Sequence, residues 1–168
     1  IVVRDKANKD FLSMVGKGAS GRRFTGDILS KHILERFAGL EDEEKRRKAF
    51  KKLASGNVSA FVNQADVIVL VLGRKDVWDA PFDTSAAIEN MLLAVTACGL
   101  GACWLVAPCI DLRDEMRINE HFGVPDNMKT FAIISIGEPT RYPKARPRIP
   151  LEDLVYKEKF GEVYYKKE

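Results

Sequence analysis

The chain has 168 residues, of which 46% are hydrophobic and 30% charged, and its formal net charge at pH 7 is +3. This composition is ordinary for a globular protein, and the length suits one domain with a substantial core. So small a net charge does not indicate a nucleic-acid-binding face. No apolar run approaches the roughly 18 residues of a membrane-spanning helix. We therefore expect neither a membrane nor a nucleic-acid partner.

The first forty residues contain a short strand, helical patterns and a glycine-rich string. Residues 1–4 have the composition of a strand, and Asn8 to Val15 has a helical pattern. The following Gly16 to Gly21 matches the dinucleotide-binding pattern G-x-G-x-x-G, but that fingerprint requires a strand directly before it. We therefore interpret this string as a flexible glycine loop. An amphipathic helix is predicted for Asp27 to Phe37, and its lone His32 is no metal ligand.

Residues 41–82 contain a charged helix, a strong strand and a polar loop. The string EDEEKRRKAFKK at 41–52 places acids first and bases last, which complements a helix dipole and indicates a solvated helix. The stretch at 66–72, which is apolar without interruption after Asp66, predicts a central strand covered on both faces. In the next loop Trp78 has two interpretations, stacking on a bound aromatic or anchoring the loop by packing, and we favour the anchor.

A long apolar helix followed by a short strand is predicted to form the centre of the fold. The helix Ala86 to Ala97 is apolar on nearly every side and is predicted to be buried, with Asp83 as its N-cap and Gly99 closing its end. The strand at 102–106 lacks alternation and is predicted to be covered on both faces. Cys98, Cys103 and Cys109 match no metal-binding spacing, and we interpret them as reduced core thiols of a cytoplasmic protein.

The last third of the chain contains a helix, a strand and an irregular tail. Leu112 to Phe122 predicts a helix with Arg113, Glu115, Arg117 and Glu120 outward and with an isolated His121, and residues 131–136 predict a buried strand. The proline-rich, basic stretch at 139–150 cannot form a regular element. We divide the chain into a domain at 1–150 and an extension at 151–168 that docks on another surface.

The residues from Asp83 to Trp104, with their strings AIENMLLA and GLGACW, resemble the core signature of the FMN-dependent nitroreductase family. The resemblance implies an α+β fold, a three-layer sandwich with a central mixed, mostly antiparallel sheet flanked by helices. It also implies an enzyme that passes electrons from NAD(P)H through FMN to nitroaromatics, quinones or flavins. The implied assembly is a homodimer with FMN at the subunit interface. An opening Arg-Ser-x-Arg motif of the family is not in this chain, which we interpret as an N-terminally shortened form.

The same resemblance implies the residues that contact the cofactor. Lys144 and Arg146 match the Lys-x-Arg pair that holds the FMN phosphate, and Arg148 is a near substitute. Trp104, Leu105, Val106 and Ala107 match the segment whose backbone lies against the flavin ring. No catalytic side chain is predicted, because a flavin performs the electron chemistry itself.

Two other classes of function remain open from the residues alone. One is a flavin-free binding or regulatory domain of the same fold. The other is a nucleic-acid module that uses the basic residues between Arg141 and Arg148. The sequence has no Gly-x-Ser-x-Gly string and no spaced His and Cys ligands, which argues against a hydrolytic or metal centre.

Overall fold

The computed structural model describes residues 1–27, 37–142 and 147–165. In these ranges one sheet contains the strands β1 (Val2–Val3), β2 (Val67–Arg74), β3 (Gly101–Leu105) and β4 (Met128–Gly137). The strand order is β1-β2-β4-β3, and every pairing between these strands is antiparallel. The four predicted strands are confirmed, and with them the α+β fold class.

The helices of the described ranges lie between and after these strands. They are α1 (Lys6–Asp27), α2 (Glu43–Ala54), α3 (Ala80–Ala97), α4 (Ala107–Ile110) and α5 (Leu112–His121), with 3₁₀ segments at Asn57–Gln64 and Leu151–Asp153. The charged string at 41–52 is helical as predicted, and Asp42 caps α2 by accepting hydrogen bonds from two backbone N–H groups. Most of the helix predicted for Asp27 to Phe37, including His32, lies outside the described residues.

Helices cover the sheet on both faces. Side chains along β2 point alternately to the two faces, so the core consists of two clusters, one on each side of the sheet. Ile68 and Leu70 pack in one cluster with Leu12 of α1, whereas Val69 and Val71 pack on the opposite side against Ile88 of α3. Side chains two residues apart on a strand point to the same face. The result is a three-layer sandwich with β2 in a central position, as predicted.

The prediction of a glycine loop at Gly16 to Gly21 is wrong, because α1 runs through this segment without a break. The glycines permit close packing of the neighbouring chain. A Cβ atom on Gly16 would lie 3.5 Å from Ser59, and one on Gly21 would lie 3.2 Å from the carbonyl oxygen of Ala54. The hydroxyl groups of Ser20 and Ser59 are 2.6 Å apart in the same buried contact. A packing requirement therefore explains a string that resembles a nucleotide-binding motif.

Two acids of α5 are buried, although Glu115 was predicted to point outward. Asp114 and Glu115 are 1% and 4% exposed. Arg22 of α1 pairs with Asp114 and also with Asp111, whose Oδ2 lies 3.4 Å from Arg22 Nε. Each buried charge therefore has a cationic partner, since Lys129 Nζ lies 3.1 Å from Glu115 Oε2.

Replacing Arg22 with alanine is expected to lower the free energy of unfolding by about 2 kcal/mol, because the buried Asp114 carboxylate loses its closest partner. Arg117 remains 3.7 Å from Asp114 and offsets part of the loss. The matched control is Arg23→Ala, since the Arg23 side chain has no ion pair within the described ranges. Urea denaturation of both variants measures the difference, and equal midpoints would contradict the role given to Arg22.

His121 was predicted to be isolated, but it lies in an aromatic contact. Its ring stacks on Phe11 with 3.8 Å between centroids, and its Nε2 lies 2.8 Å from the side-chain oxygen of Asn8. These contacts join the end of α5 to the first turns of α1. His121 therefore has a packing role between the two helices.

Helix α3 begins earlier than predicted, and only part of its apolar surface is covered. Asp79 rather than Asp83 is the N-cap residue, and Asp83 lies in the first turn. Gly99 closes the helix as predicted, with φ +74°. Ile88 and Val95 are buried, whereas Leu93 is 60% exposed. The described chain therefore covers one face of α3 and leaves apolar side chains on another, and burial of that second face stays a prediction.

The prediction that residues 102–106 are covered on both faces is wrong for the described chain, because side chains on both faces of the edge strand β3 are exposed. Ala102, Cys103 and Trp104 are exposed, and among the described strands only β4 pairs with β3. The three thiols form no disulfide, but only Cys109 lies in the core, where burial and the nearby Glu115 raise its pKa to about 12. Cys98 and Cys103 are exposed rather than core thiols.

The described part of the tail has little regular structure, as predicted for its proline-rich start. Beyond the 3₁₀ turn, Tyr156 and Val163 form an isolated antiparallel bridge. Phe160 is 91% exposed, and Leu154 and Tyr164 are more than half exposed. Within the ranges that the structure describes, no helix is long and apolar enough to cross a membrane.

Candidate functional site

The four residues predicted to lie against a flavin ring span the junction between β3 and α4. Trp104 and Leu105 end the strand, Val106 is the N-cap residue of α4, and Ala107 begins the helix. Trp104 and Val106 are 37% and 42% exposed, whereas Leu105 is 8% exposed and belongs to the core cluster. Side chains of Trp104 and Val106 are therefore accessible to a ligand, and Leu105 offers only backbone groups.

The outer edge of β3 leads directly into this junction. No described strand pairs with that edge, so backbone N–H and C=O groups along it are without strand partners in the described chain. Trp104 lies opposite Ile134 of β4, which places its side chain on the face of the sheet that α3 covers. Apolar surface and unpaired backbone groups thus occur together at Trp104 to Ala107.

One surface hollow next to this junction has a basic wall. It has a volume of about 330 Å³, and its lining includes Arg22, Arg23, Ala107 and Arg113. Asp111 lies between these arginines and caps α5 by accepting a hydrogen bond from Arg113 N–H at 3.1 Å. Hydrogen bonding from the Arg113 guanidinium lowers the pKa of Asp111 to about 2. Both partners are therefore charged at neutral pH, and Arg23 adds an uncompensated positive charge within the described chain.

A larger hollow of about 590 Å³ lies beside the other end of β3. Its lining includes Asp66, Cys103, Glu138 and Arg141. Asp66 Oδ2 accepts a hydrogen bond from the Glu138 backbone N–H at 3.3 Å, and partial burial of the otherwise exposed Cys103 raises the pKa of its thiol. Lys144 and Arg146, the predicted phosphate ligands, lie outside the described residues. Their described sequence neighbours Arg141 and Arg148 are exposed.

A third hollow, of about 470 Å³, is formed by the loop after β2, the start of α5 and the first residues of β4. Trp78 lines it and is 81% exposed, so the predicted role of a packed anchor is wrong. The ion pair between the buried Glu115 and the partly exposed Lys129 also lines this hollow. Sequence reasoning missed that pair. The available signal was spacing, since Glu115 precedes the buried Ile118 by three residues and so shares its helix face.

The sequence of this chain matches the model of a known protein family. The model of the nitroreductase family matches residues 2–138. The chain belongs to the nitroreductase family. The match includes α3, the edge strand β3 and the Trp104 to Ala107 junction of this nitroreductase, and it confirms the family that the signature around residues 83–104 predicted.

Relatives with assigned names are similar to parts of this chain. A candidate NADH dehydrogenase/NAD(P)H nitroreductase from Archaeoglobus fulgidus is 32% identical over 110 residues, which are 61% of this chain and 60% of the relative. An NADPH-flavin oxidoreductase from Vibrio harveyi is 27% identical over 82 residues, which are 48% of this chain and 32% of that protein. The chain spans 60% of the length of the Archaeoglobus relative and 47% of a similar one from Methanothermobacter thermautotrophicus.

Solved structures show the same fold at low sequence identity. NADPH:FMN oxidoreductase from Vibrio harveyi, complexed with NAD+, has a TM-score of 0.63 at 17% sequence identity. The superposition covers 97% of this chain and 59% of the Vibrio chain. An FMN-dependent nitroreductase from Clostridium difficile R20291 has a TM-score of 0.56 at 23% identity and covers 88% of this chain and 66% of its own. These similarities establish the nitroreductase fold.

Proposed function

We propose that this nitroreductase is an NAD(P)H-dependent oxidoreductase that binds FMN and reduces nitroaromatics, quinones or flavins. Membership of the family supports the reaction class. The names of the Vibrio relative and of the Clostridium difficile neighbour, a flavin oxidoreductase and an FMN-dependent enzyme, support the choice of cofactor. The structural observation that carries the proposal is the accessible junction at Trp104 to Ala107.

The residues of this junction fit the ring of a flavin. An isoalloxazine ring has flat apolar faces and a rim of hydrogen-bond donors and acceptors. The exposed side chains of Trp104 and Val106 supply apolar surface, and the unpaired edge of β3 supplies backbone donors and acceptors. Ligand pockets typically combine mainly apolar walls with a few such polar groups. The chemistry of the donor set is therefore compatible with FMN.

A basic segment that follows β4 fits the phosphate. Arg141, Lys144, Arg146 and Arg148 follow β4 within a few residues of one another. Guanidinium groups bind phosphate oxygens through paired hydrogen bonds, and an ammonium group acts as a point charge. We assign Lys144 and Arg146 to the phosphate because they match the family's pair, with Arg148 as the nearest additional cation.

The role of the protein in this chemistry is to bind and orient. Hydride and electron transfer between NAD(P)H and the acceptor is chemistry that FMN would supply when bound, so no nucleophilic side chain is needed. Trp104 and Val106 would fix the ring plane by apolar contact. Backbone groups of the β3 edge would hold the polar rim, and the apolar surroundings would limit access of water.

We further propose a homodimer in which the second copy covers the apolar surface left open by the described chain. This surface combines the exposed side of α3 at Leu93, the edge of β3 and the tail with Leu154, Phe160 and Tyr164. Large exposed apolar side chains of this kind are typical of an interaction surface, and two-fold pairing is the commonest assembly. A dimer of this kind would also place the Trp104 junction beside the partner.

Light scattering with simultaneous visible absorbance tests the assembly. The full chain is expected to have the mass of a dimer, with flavin absorbance in the same peak. Truncation after Arg148 is expected to lower the mass toward that of a monomer and to release the flavin. Leu93→Glu is expected to weaken the dimer, because it places a charge in an apolar contact. The control is Met14→Glu on α1, since Met14 is 53% exposed on the opposite helical layer. A flavin-loaded monomer of either full or truncated chain would contradict the proposed dimer.

A further inference from the structure

We propose that Asp66 is a positioning residue for the phosphate-binding stretch of this nitroreductase, because its carboxylate fixes the direction in which the chain leaves β4. The inference rests on the proposed function, in which basic residues between Arg141 and Arg148 bind the FMN phosphate. We call residues 137–141 the exit segment, since they join the end of β4 to that basic stretch. Asp66 does not itself contact the phosphate and acts only through the exit segment.

The Asp66 carboxylate holds the first peptide group beyond β4. Its Oδ2 accepts a hydrogen bond from the Glu138 backbone N–H at 3.3 Å. The same oxygen would lie 2.8 Å from a Cβ atom built on Gly137, so only a glycine at the end of β4 allows this close approach. A hydrogen bond and a close backbone contact therefore join Asp66 to the exit segment.

The backbone on both sides of Asp66 is held by other parts of the fold. Val67 begins β2 and pairs with Ile136 of β4, and the carbonyl oxygen of Ala65 accepts a hydrogen bond from Lys9 Nζ at 2.9 Å. The Asp66 side chain is exposed, so it fills no space in the core. A carboxylate on so well anchored a backbone can orient the neighbouring segment without contributing to core packing.

A second contact holds the exit segment from the side of β3. Gly101 begins β3 and pairs with Gly137, and a Cβ atom built on Gly101 would lie 3.3 Å from Cβ of Pro139. Pro139 therefore packs against the backbone at Gly101, and its ring also fixes its own φ angle. The exit segment is thus restrained by Asp66 before one neighbouring strand of β4 and by Gly101 at the start of the other.

The exit segment ends at the first cation of the basic stretch. Arg141 lines the hollow of about 590 Å³ beside β3, together with Asp66 and Cys103. Within the described ranges Arg141 forms no ion pair. Trp104 follows Cys103 directly, so the hollow has the basic stretch at one end and the proposed ring site beyond the other. The direction of the exit segment therefore sets where the basic stretch lies relative to the ring site.

The charge of Asp66 and its hydrogen bond have opposite effects on phosphate binding. A carboxylate repels a nearby phosphate, so loss of its charge alone would strengthen FMN binding. Loss of the hydrogen bond is expected to weaken FMN binding, because the phosphate ligands are then less well placed. Asp66→Asn removes the charge and keeps an oxygen acceptor, whereas Asp66→Ala removes both.

Titration of the full chain with FMN and, separately, with riboflavin tests the proposal, with flavin fluorescence as the signal. Asp66→Ala is expected to weaken FMN binding about fivefold, the factor that corresponds to one ordinary hydrogen bond. Riboflavin affinity is expected to stay unchanged, because riboflavin has no phosphate. Asp66→Asn is expected to bind FMN at least as tightly as the unaltered chain. The control Asp126→Ala removes an exposed carboxylate near the opposite end of β4 and is expected to change neither affinity.

A further variant connects the effect to the phosphate ligands. When Asp66→Ala is added to the double variant Lys144→Ala with Arg146→Ala, the additional loss of FMN affinity is expected to be less than about twofold. The reason is that the ligands positioned through Asp66 are already absent. Independent action of Asp66 would instead give the full fivefold loss in both backgrounds.

Four results would each overturn the inference while leaving the proposed function intact. They are unchanged or tighter FMN binding by Asp66→Ala, equal losses of FMN and riboflavin affinity, a loss in Asp66→Asn as large as in Asp66→Ala, and full additivity with the double variant. If the unaltered chain binds neither flavin, the proposed function fails and the inference fails with it.

Discussion

Simultaneous replacement of Lys144 and Arg146 by alanine is expected to weaken FMN binding about 100-fold or more. Each charged hydrogen bond to the phosphate that is lost costs about 1.5 to 3 kcal/mol, and about 1.4 kcal/mol corresponds to a factor of ten in affinity. Equilibrium dialysis against FMN measures the affinity directly. The thermal unfolding midpoint should change little, because surface charges contribute little to folding stability.

The control for this pair removes the same number of positive charges elsewhere. Lys51 and Lys52 lie in the last turn of α2 and are exposed, so Lys51→Ala with Lys52→Ala is the matched double variant. It tests whether net charge alone attracts the phosphate. Equal FMN affinities of the two double variants would exclude Lys144 and Arg146 as specific phosphate ligands.

Replacing Gly56 with alanine is expected to lower the free energy of unfolding by about 3 kcal/mol or more, through backbone strain and steric overlap. Gly56 has φ +71°, and an added Cβ atom would lie 1.9 Å from the carbonyl oxygen of Lys17. The backbone of α1 cannot withdraw easily, because the same segment of α1 packs against the 3₁₀ segment Asn57–Gln64.

Gly39→Ala is the control for Gly56→Ala, since nothing lies within 4 Å of a Cβ atom built on Gly39. Urea denaturation of both variants gives the comparison. A loss below about 1 kcal/mol in Gly56→Ala, less than the usual cost of holding one residue in an unfavourable backbone conformation, would show that the contact between Gly56 and α1 is looser than the structure describes.

The sequence was sufficient to predict the sheet, because apolar β-branched residues are concentrated in the central strands. The run at 66–72 has the composition of a doubly covered strand, and β2 lies between β1 and β4 with helices on both faces. The same reasoning failed for β3, since a short apolar run has the same composition whether a helix, a partner or solvent covers it. The exposure of Trp104 in the described chain could therefore not be read from the composition of its strand.

The glycine segment and the acids of α5 were mispredicted because their environments come from distant parts of the chain. Gly16 and Gly21 pack against residues 54–59, which lie more than thirty positions away. Glu115 is buried only because Lys129 of β4 neutralises it. Local patterns contain no information about such partners. For the candidate site, the predicted junction at Trp104 to Ala107 lies at the surface, and the positions of Lys144 and Arg146 stay a prediction.

The absorbance spectrum of the purified protein tests the central claim most directly, since a bound flavin absorbs visible light and loses that absorbance on reduction. We expect the full chain, after incubation with FMN and removal of the free cofactor, to retain a yellow chromophore. Anaerobic NADH or NADPH should bleach it, and addition of a nitroaromatic or a quinone should restore the colour. A folded protein that stays colourless after reconstitution, or one whose flavin neither nucleotide reduces, would contradict the proposed oxidoreductase.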